Sequence, residues 1–229
     1  MVLKLYGSPR AAGATHAVLV TLLEKQVPFE NCALDLPNRA HLAPAHTARQ
    51  PFKQFPVIED DGGFVLYESR AICRYLEEKY AGQGTSLGPP VPGAGADALR
   101  ARAVFEQAVS VETSNFHPHA HRIYAERISK RRRGLKPDEC AVEEALQQLS
   151  ATLDVYEEIL GRTRYLAGDA FTLADLFHLS FGGVLSLAGC DIMTSETRPN
   201  VTRWWQDIQS RPSVRRFPEA TAFTSVDSY

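Results

Sequence analysis

Apolar residues follow two rhythms along this chain, and the rhythm changes once. In the first third, short extended runs alternate with helical stripes. Val2-Leu3-Lys4-Leu5-Tyr6 predicts a strand that stops at Gly7-Ser8-Pro9. A helix is predicted from about Ala14, with Val18, Leu19, Leu22 and Leu23 on one stripe. Phe29 to Leu34 reads as a second strand. Phe55 and Val57-Ile58, then the turn residues Asp60-Asp61-Gly62-Gly63, then Phe64-Val65-Leu66-Tyr67, predict a β-hairpin. A helix over 70–80 follows. The order strand, helix, strand, hairpin, helix fits a compact α/β domain over residues 1–81.

Residues 82–95 carry too much glycine and proline for the interior of an element and read as a linker. Beyond them, over 96–229, the long segments have helical period. Leu99, Val104, Ala108, Val111 and Asn115 trace one helix; Val142, Leu146, Leu149, Leu153, Tyr156 and Leu160 step by three and four along another. Strand signals are scarce, so this second domain is expected to be all-helical. Phe171-Thr172-Leu173-Ala174-Asp175 places a hydroxyl three residues before an acid at a helix start. That is a variant capping box, which serves folding rather than chemistry.

Composition narrows the classes. Of 229 residues, 44% are hydrophobic and 23% charged, as in ordinary globular proteins. The net charge of −2 argues against nucleic acid as a partner, since phosphate binding needs a clustered positive excess. The basic run Lys130-Arg131-Arg132-Arg133 reads as a solvated helix end. Cys32, Cys73, Cys140 and Cys190 are widely spaced and make no Cys-x-x-Cys pair, so neither a disulfide framework nor structural zinc is expected. With no signal-like start and no apolar run near 20 residues, neither a membrane span nor secretion is expected; the location expected is cytoplasmic and reducing.

The candidate chemistry sits around the hairpin. Pro56, entering a strand, is a candidate for a cis peptide bond. Glu68-Ser69 sits where a helix begins, and a helix start presents unpaired N–H groups and partial positive charge that can hold a carboxylate. These features suit a small acidic peptide. His117, His119 and His121 suggest a metal, but no neighbouring acid or cysteine completes a ligand set, and none is expected.

The stretches Leu5-Tyr6-Gly7-Ser8-Pro9, Gln50-Pro51-Phe52-Lys53-Gln54-Phe55-Pro56 and Tyr67-Glu68-Ser69-Arg70-Ala71-Ile72 resemble those of cytosolic glutathione transferases. So do Leu153-Asp154-Val155-Tyr156-Glu157, Tyr165-Leu166-Ala167-Gly168-Asp169, Thr172-Leu173-Ala174-Asp175-Leu176 and Arg211-Pro212-Ser213-Val214. Singly each is weak. Together, in order and over most of the chain, they are similar to the phi class. The resemblance implies an N-terminal thioredoxin-like α/β domain followed by an all-helical C-terminal domain, acting as a homodimer, with Phe52 inserted into a pocket of the partner.

It also implies a glutathione site at His41, Gln54, Phe55, Glu68 and Ser69. Phe55 would pair its main chain with the cysteinyl part of the tripeptide. Ser69 and Glu68 would hold the γ-glutamyl end, and His41 and Gln54 the glycyl end. Leu42 stands where the family often has lysine, and Gln50 where it often has asparagine, the latter read as a loop detail. Phe116, His119 and Tyr124 are expected to line the pocket for an apolar second substrate; His178 and Phe181 either face the same cavity or belong to the core.

One departure bears on catalysis. The serine that donates to the glutathione sulfur in the phi class falls at Ala11, and Arg10 to Ala14 offers no hydroxyl, thiol or imidazole. The substitutes are backbone N–H groups around Ala11 to Gly13, Arg10, Ser8 and Thr15; Tyr6 is not expected to serve. The resulting expectation is an enzyme that adds the glutathione thiolate to an apolar electrophile. The alternative is a ligandin-like carrier that binds glutathione without activating it.

Overall fold

The computed structural model describes residues 2–8, 13–89 and 95–216. It divides into two compact units, Met1–Gly88 and Pro89–Tyr229.

The first unit is a four-stranded sheet in the order β2-β1-β3-β4 with helices packed on it. β1 (Leu3–Gly7) runs parallel to β2 (Phe29–Ala33) through the crossover helix α1 (Ala14–Glu24). β3 (Val57–Asp60) is antiparallel to β1 and to β4 (Phe64–Tyr67), which it joins through a tight turn at 61–63. Along β1, Leu3, Leu5 and Gly7 are buried while Lys4 and Tyr6 are half-buried, the alternation of a strand with one face in a core. Helix α1 is buried almost continuously from Thr15 to Leu22. After a short helix, α2 (Pro44–Thr47), and the hairpin, α3 (Ser69–Lys79) buries Ile72, Cys73 and Leu76. Burial pushes the Cys73 thiol up to about 12, so it is an inert core group.

Residues 83–85 are not part of a linker. Gln83 Nε2 donates to the Lys25 carbonyl at 2.8 Å, and the Thr85 N–H donates to the Glu24 carbonyl at 2.8 Å. The buried Lys25 ammonium donates to the Thr85 carbonyl at 3.2 Å and pairs with Glu77 at 3.0 Å. Gly84, at φ 62°, lies so close that a Cβ there would come within 2.1 Å of the Glu24 carbonyl oxygen. Glycine permits this approach, so a composition that reads as flexible here serves close packing.

The second unit is helical throughout the elements described. α4 (Ala96–Val111) continues through a π-helical turn at Glu112–Phe116 into α5 (His117–Tyr124) and a second π-helical turn at Ala125–Lys130. Pro118 lacks the N–H that would bond the carbonyl four residues back, and its ring crowds that position; the widened turn just before it accommodates both. The long helix α6 (Glu139–Leu160) buries Val142, Leu149, Leu153, Tyr156 and Leu160, the expected stripe, with Leu146 half-buried. α4 differs from its expected face. Leu99 is 69% exposed and Val104 46%, while Ala98, Phe105 and Val109 are buried. Val104, Ala108 and Val111 instead line an open apolar crevice against Tyr156, Ile159 and Leu166.

α7 (Leu173–Leu176), α8 (Leu179–Leu185), α9 (Pro199–Ser210) and α10 (Pro212–Arg215) complete the unit. Thr172 Oγ1 accepts from the Ala174 N–H at 3.3 Å and the Asp175 carboxylate accepts from the Thr172 N–H at 3.0 Å, forming the capping box. Asp175 also accepts from the Leu166 N–H at 3.0 Å and the Trp204 indole at 2.9 Å. One fully buried carboxylate thus ties three segments together.

Candidate functional site

The segment between β2 and β3 builds one wall of the site. A 3₁₀ turn at Ala40–Leu42 carries His41, and Pro44 opens α2. His41 meets Phe55 edge-on, with ring centroids 6.1 Å apart. Its Nδ1 is buried without a hydrogen-bond partner. Burial, with the neighbouring His46 and Arg39, holds His41 below the ordinary imidazole range. A neutral His41 retains one N–H donor for an incoming carboxylate. The Phe55–Pro56 bond is cis, as expected, and β3 begins immediately after it.

Gln54 is held by two residues that the sequence reading did not place in the site. His46 Nε2 donates to the Gln54 carbonyl at 2.7 Å, and the Gln54 N–H donates to Gln50 Oε1 at 3.2 Å. His46 is 4% exposed and Gln50 1%. Gln50 is therefore a buried support, not a loop detail. The available signal was a histidine and a glutamine four apart, His46 in α2 and Gln50 just beyond its end.

Glu68 and Ser69 stand at the start of α3. Glu68 has φ 71° and ψ 108°, a conformation sparsely populated by residues other than glycine, and Ser69 is the first residue of α3. No side chain caps this 11-residue helix, and its first N–H groups have no intrahelical partner.

At the first helix, Arg10 and Ala11 lie outside the described residues. Ser8 and Thr15 are buried, and the Ser8 N–H donates to Thr15 Oγ1 at 3.1 Å. Thr15 packs so closely on Gly7 that a Cβ there would come within 2.5 Å of Thr15 Cγ2. Thr15 is thus a packing residue whose Oγ1 accepts from the Ser8 N–H. Gly13 precedes α1 at φ 61° and no side chain caps the helix. Tyr6 donates to Glu59 at 3.1 Å and lies under the Arg49 guanidinium, 4.5 Å from the ring centre; burial and then Glu59 push its phenol up.

In the second unit the expected pocket residues separate. Phe181 meets His117 and His121 at 5.0 Å each and Tyr124 at 5.4 Å, and the two imidazoles stack in parallel 5.9 Å apart. Although its side chain is exposed at the surface, desolvation by the neighbouring rings holds His121 below its ordinary range. Half-buried His119 is two residues from each stacked histidine, about 200° around the helix, and so lies off their face. His178 is wholly buried: Nδ1 bonds the Ala174 carbonyl at 3.0 Å, Nε2 pairs with the Tyr156 hydroxyl at 3.0 Å, and its ring packs on Phe116 and Trp204. His178 and Phe116 are core residues, not pocket lining. Among the described residues no three His, Cys, Asp or Glu side chains gather to hold a metal.

The comparisons agree with this architecture. The family model described as glutathione S-transferase, N-terminal domain, matches residues 1–78, and the corresponding C-terminal domain model matches 113–212. Glutathione S-transferase hmp2 of Hypomyces subiculosus is 42% identical over 92% of this chain and 95% of its own. Glutathione S-transferase F11 of Arabidopsis thaliana is 40% identical over 97% and 100%. The crystal structure of glutathione transferase F7 from Populus trichocarpa aligns with a TM-score of 0.87 at 35% identity, over 97% of this chain and 100% of that one. The chain belongs to the glutathione S-transferase family. Within that family it groups with the phi class.

Proposed function

We propose that this protein is a glutathione-conjugating transferase that adds the thiolate of glutathione to an apolar electrophile. The observation that carries the reading is the pair Glu68 and Ser69 at the open start of α3. A non-glycine residue at φ 71° costs on the order of 1–3 kcal/mol, and such conformations cluster at ligand sites. Here the strained residue places a carboxylate beside a hydroxyl and helix N–H donors, a combination that suits the ammonium and carboxylate of a γ-glutamyl end. Phe55 offers main-chain groups to the cysteinyl part; neutral His41 and exposed Gln54 offer donors to the glycyl carboxylate. Phe181 and Tyr124, with His117 and His121, form the surface for the second substrate.

Thiolate formation falls to backbone donors at the start of α1, which no side chain caps. Arg10 and Ser8 are the side-chain candidates; buried Ser8 lies against α1. A free thiol titrates near about 8.5, and only the thiolate attacks. The test is the absorbance of the thiolate of protein-bound glutathione against pH. The expected result is a pKa well below that of free glutathione, lowered further in Ala11→Ser, which restores a hydroxyl. A bound thiol that titrates like the free one would overturn the enzyme in favour of a carrier.

A further inference from the structure

We propose that His46 is a positioning residue for glutathione, acting through the peptide that joins Gln54 to Phe55. The inference rests on the glutathione reading above and adds to it a residue outside the direct contacts.

The Gln54 carbonyl and the Phe55 N–H belong to one planar trans peptide and point in opposite directions. Whatever holds the carbonyl therefore aims the N–H. His46 Nε2 holds that carbonyl at 2.7 Å, on the side opposite the Phe55 N–H. Gln50 fixes the preceding N–H, and the two clamps are coupled, because the Gln50 N–H donates to the His46 carbonyl at 2.9 Å. Lys53, at φ 61°, makes the turn that brings Gln54 back over both of them.

The imidazole is an expensive choice for this job. To donate from Nε2 the ring carries its proton there, which leaves Nδ1 as a bare acceptor, and Nδ1 is buried with no partner. An aromatic or aliphatic filler would remove that nitrogen but leave the Gln54 carbonyl without its donor. What a filler cannot supply is the Nε2 donor. That donor keeps the 54–55 peptide in one orientation.

The test compares His46→Gln, whose amide nitrogen takes the place of Nε2, with His46→Phe, which fills the space without a donor. Glutathione affinity is read by calorimetry, and KM and kcat are read with a chlorodinitrobenzene electrophile. In His46→Phe the Kd and KM for glutathione are expected to rise about tenfold, the scale of one lost hydrogen bond. kcat at saturating glutathione and KM for the electrophile should stay within about twofold of wild type. His46→Gln should recover most of the affinity. If His46→Phe does not fold, Gln50→Leu, which removes the other clamp, is expected to weaken glutathione in the same selective way. Wild-type affinity in His46→Phe, or in Gln50→Leu where that variant takes its place, would overturn the proposal, as would a His46→Gln no better than His46→Phe, or a fall in kcat with KM unchanged. If wild type itself does not bind glutathione, the functional reading fails and the proposal falls with it.

Discussion

Asp175 shows how much one residue can carry in this chain. Its carboxylate accepts from the Leu166 and Thr172 N–H groups, the Thr172 hydroxyl and the Trp204 indole, all in a fully buried place. Burial holds its carboxyl above the ordinary range, and those four donors offset only part of that rise. Asp175→Ala would orphan two backbone N–H groups and an indole at once, each worth roughly 1–3 kcal/mol when left unpaired. A loss of about 3–5 kcal/mol is expected, against about 1 kcal/mol for Thr172→Ala, which removes only the cap hydroxyl. Urea midpoints at constant m-value give the comparison. Equal losses for the two variants would mean that the carboxylate acts only as a local cap.

Between elements, the hairpin and α3 are joined by a small charged cluster. Asp60, at the end of β3, accepts from Lys79 at 2.6 Å, Tyr75 at 2.7 Å and its neighbour's N–H at 2.8 Å. Burial pushes the Asp60 carboxyl up, but these donors outweigh it and leave it below the ordinary carboxylate range. A carboxyl lowered by folding stabilises the fold above its unfolded-chain value, about 3.9, and that contribution drains away as pH falls through the lower folded value. Asp60→Asn is therefore expected to be less stable at neutral pH and to lose less between about pH 4 and pH 2. Thermal midpoints across that range decide it, and parallel curves would exclude the cluster as a source of acid sensitivity. The elements here were legible because their cues are local: alternation in β1, turn residues at 60–63, the stripe of α6, and Thr172 with Asp175. The buried face of α4 was not, because Phe105 and Val109 are chosen over Leu99 and Val104 by what packs on them from elsewhere. The same holds for the site. Glu68 and Ser69 announce a helix start, whereas the bond from His46 to the Gln54 carbonyl depends on a fold-back at Lys53 that no periodicity encodes. His178 read equally as pocket or core, because a histidine on an apolar helix gives no sign that Tyr156 and the Ala174 carbonyl already satisfy it.

At the scale of the molecule, Phe52 is the residue on which the expectation of a dimer turns. It is 67% exposed in the protomer and touches its own chain edge-on at Tyr67, 6.2 Å away between ring centres. Burying a phenylalanine is worth about 1.5–3 kcal/mol, so Phe52→Ser is expected to weaken self-association by about 10- to 100-fold in sedimentation experiments. An unchanged dimer constant would show that the ring belongs to its own domain. A different consequence follows from the ties between residues 83–85 and the end of α1. A fragment ending at residue 81 would lose the carbonyl that shares Lys25 with Glu77 and would bare the Lys25 and Glu24 carbonyls to solvent. The excision boundary for producing the first unit as a free-standing module therefore lies after Gly88, and a cut there keeps the strap that closes it.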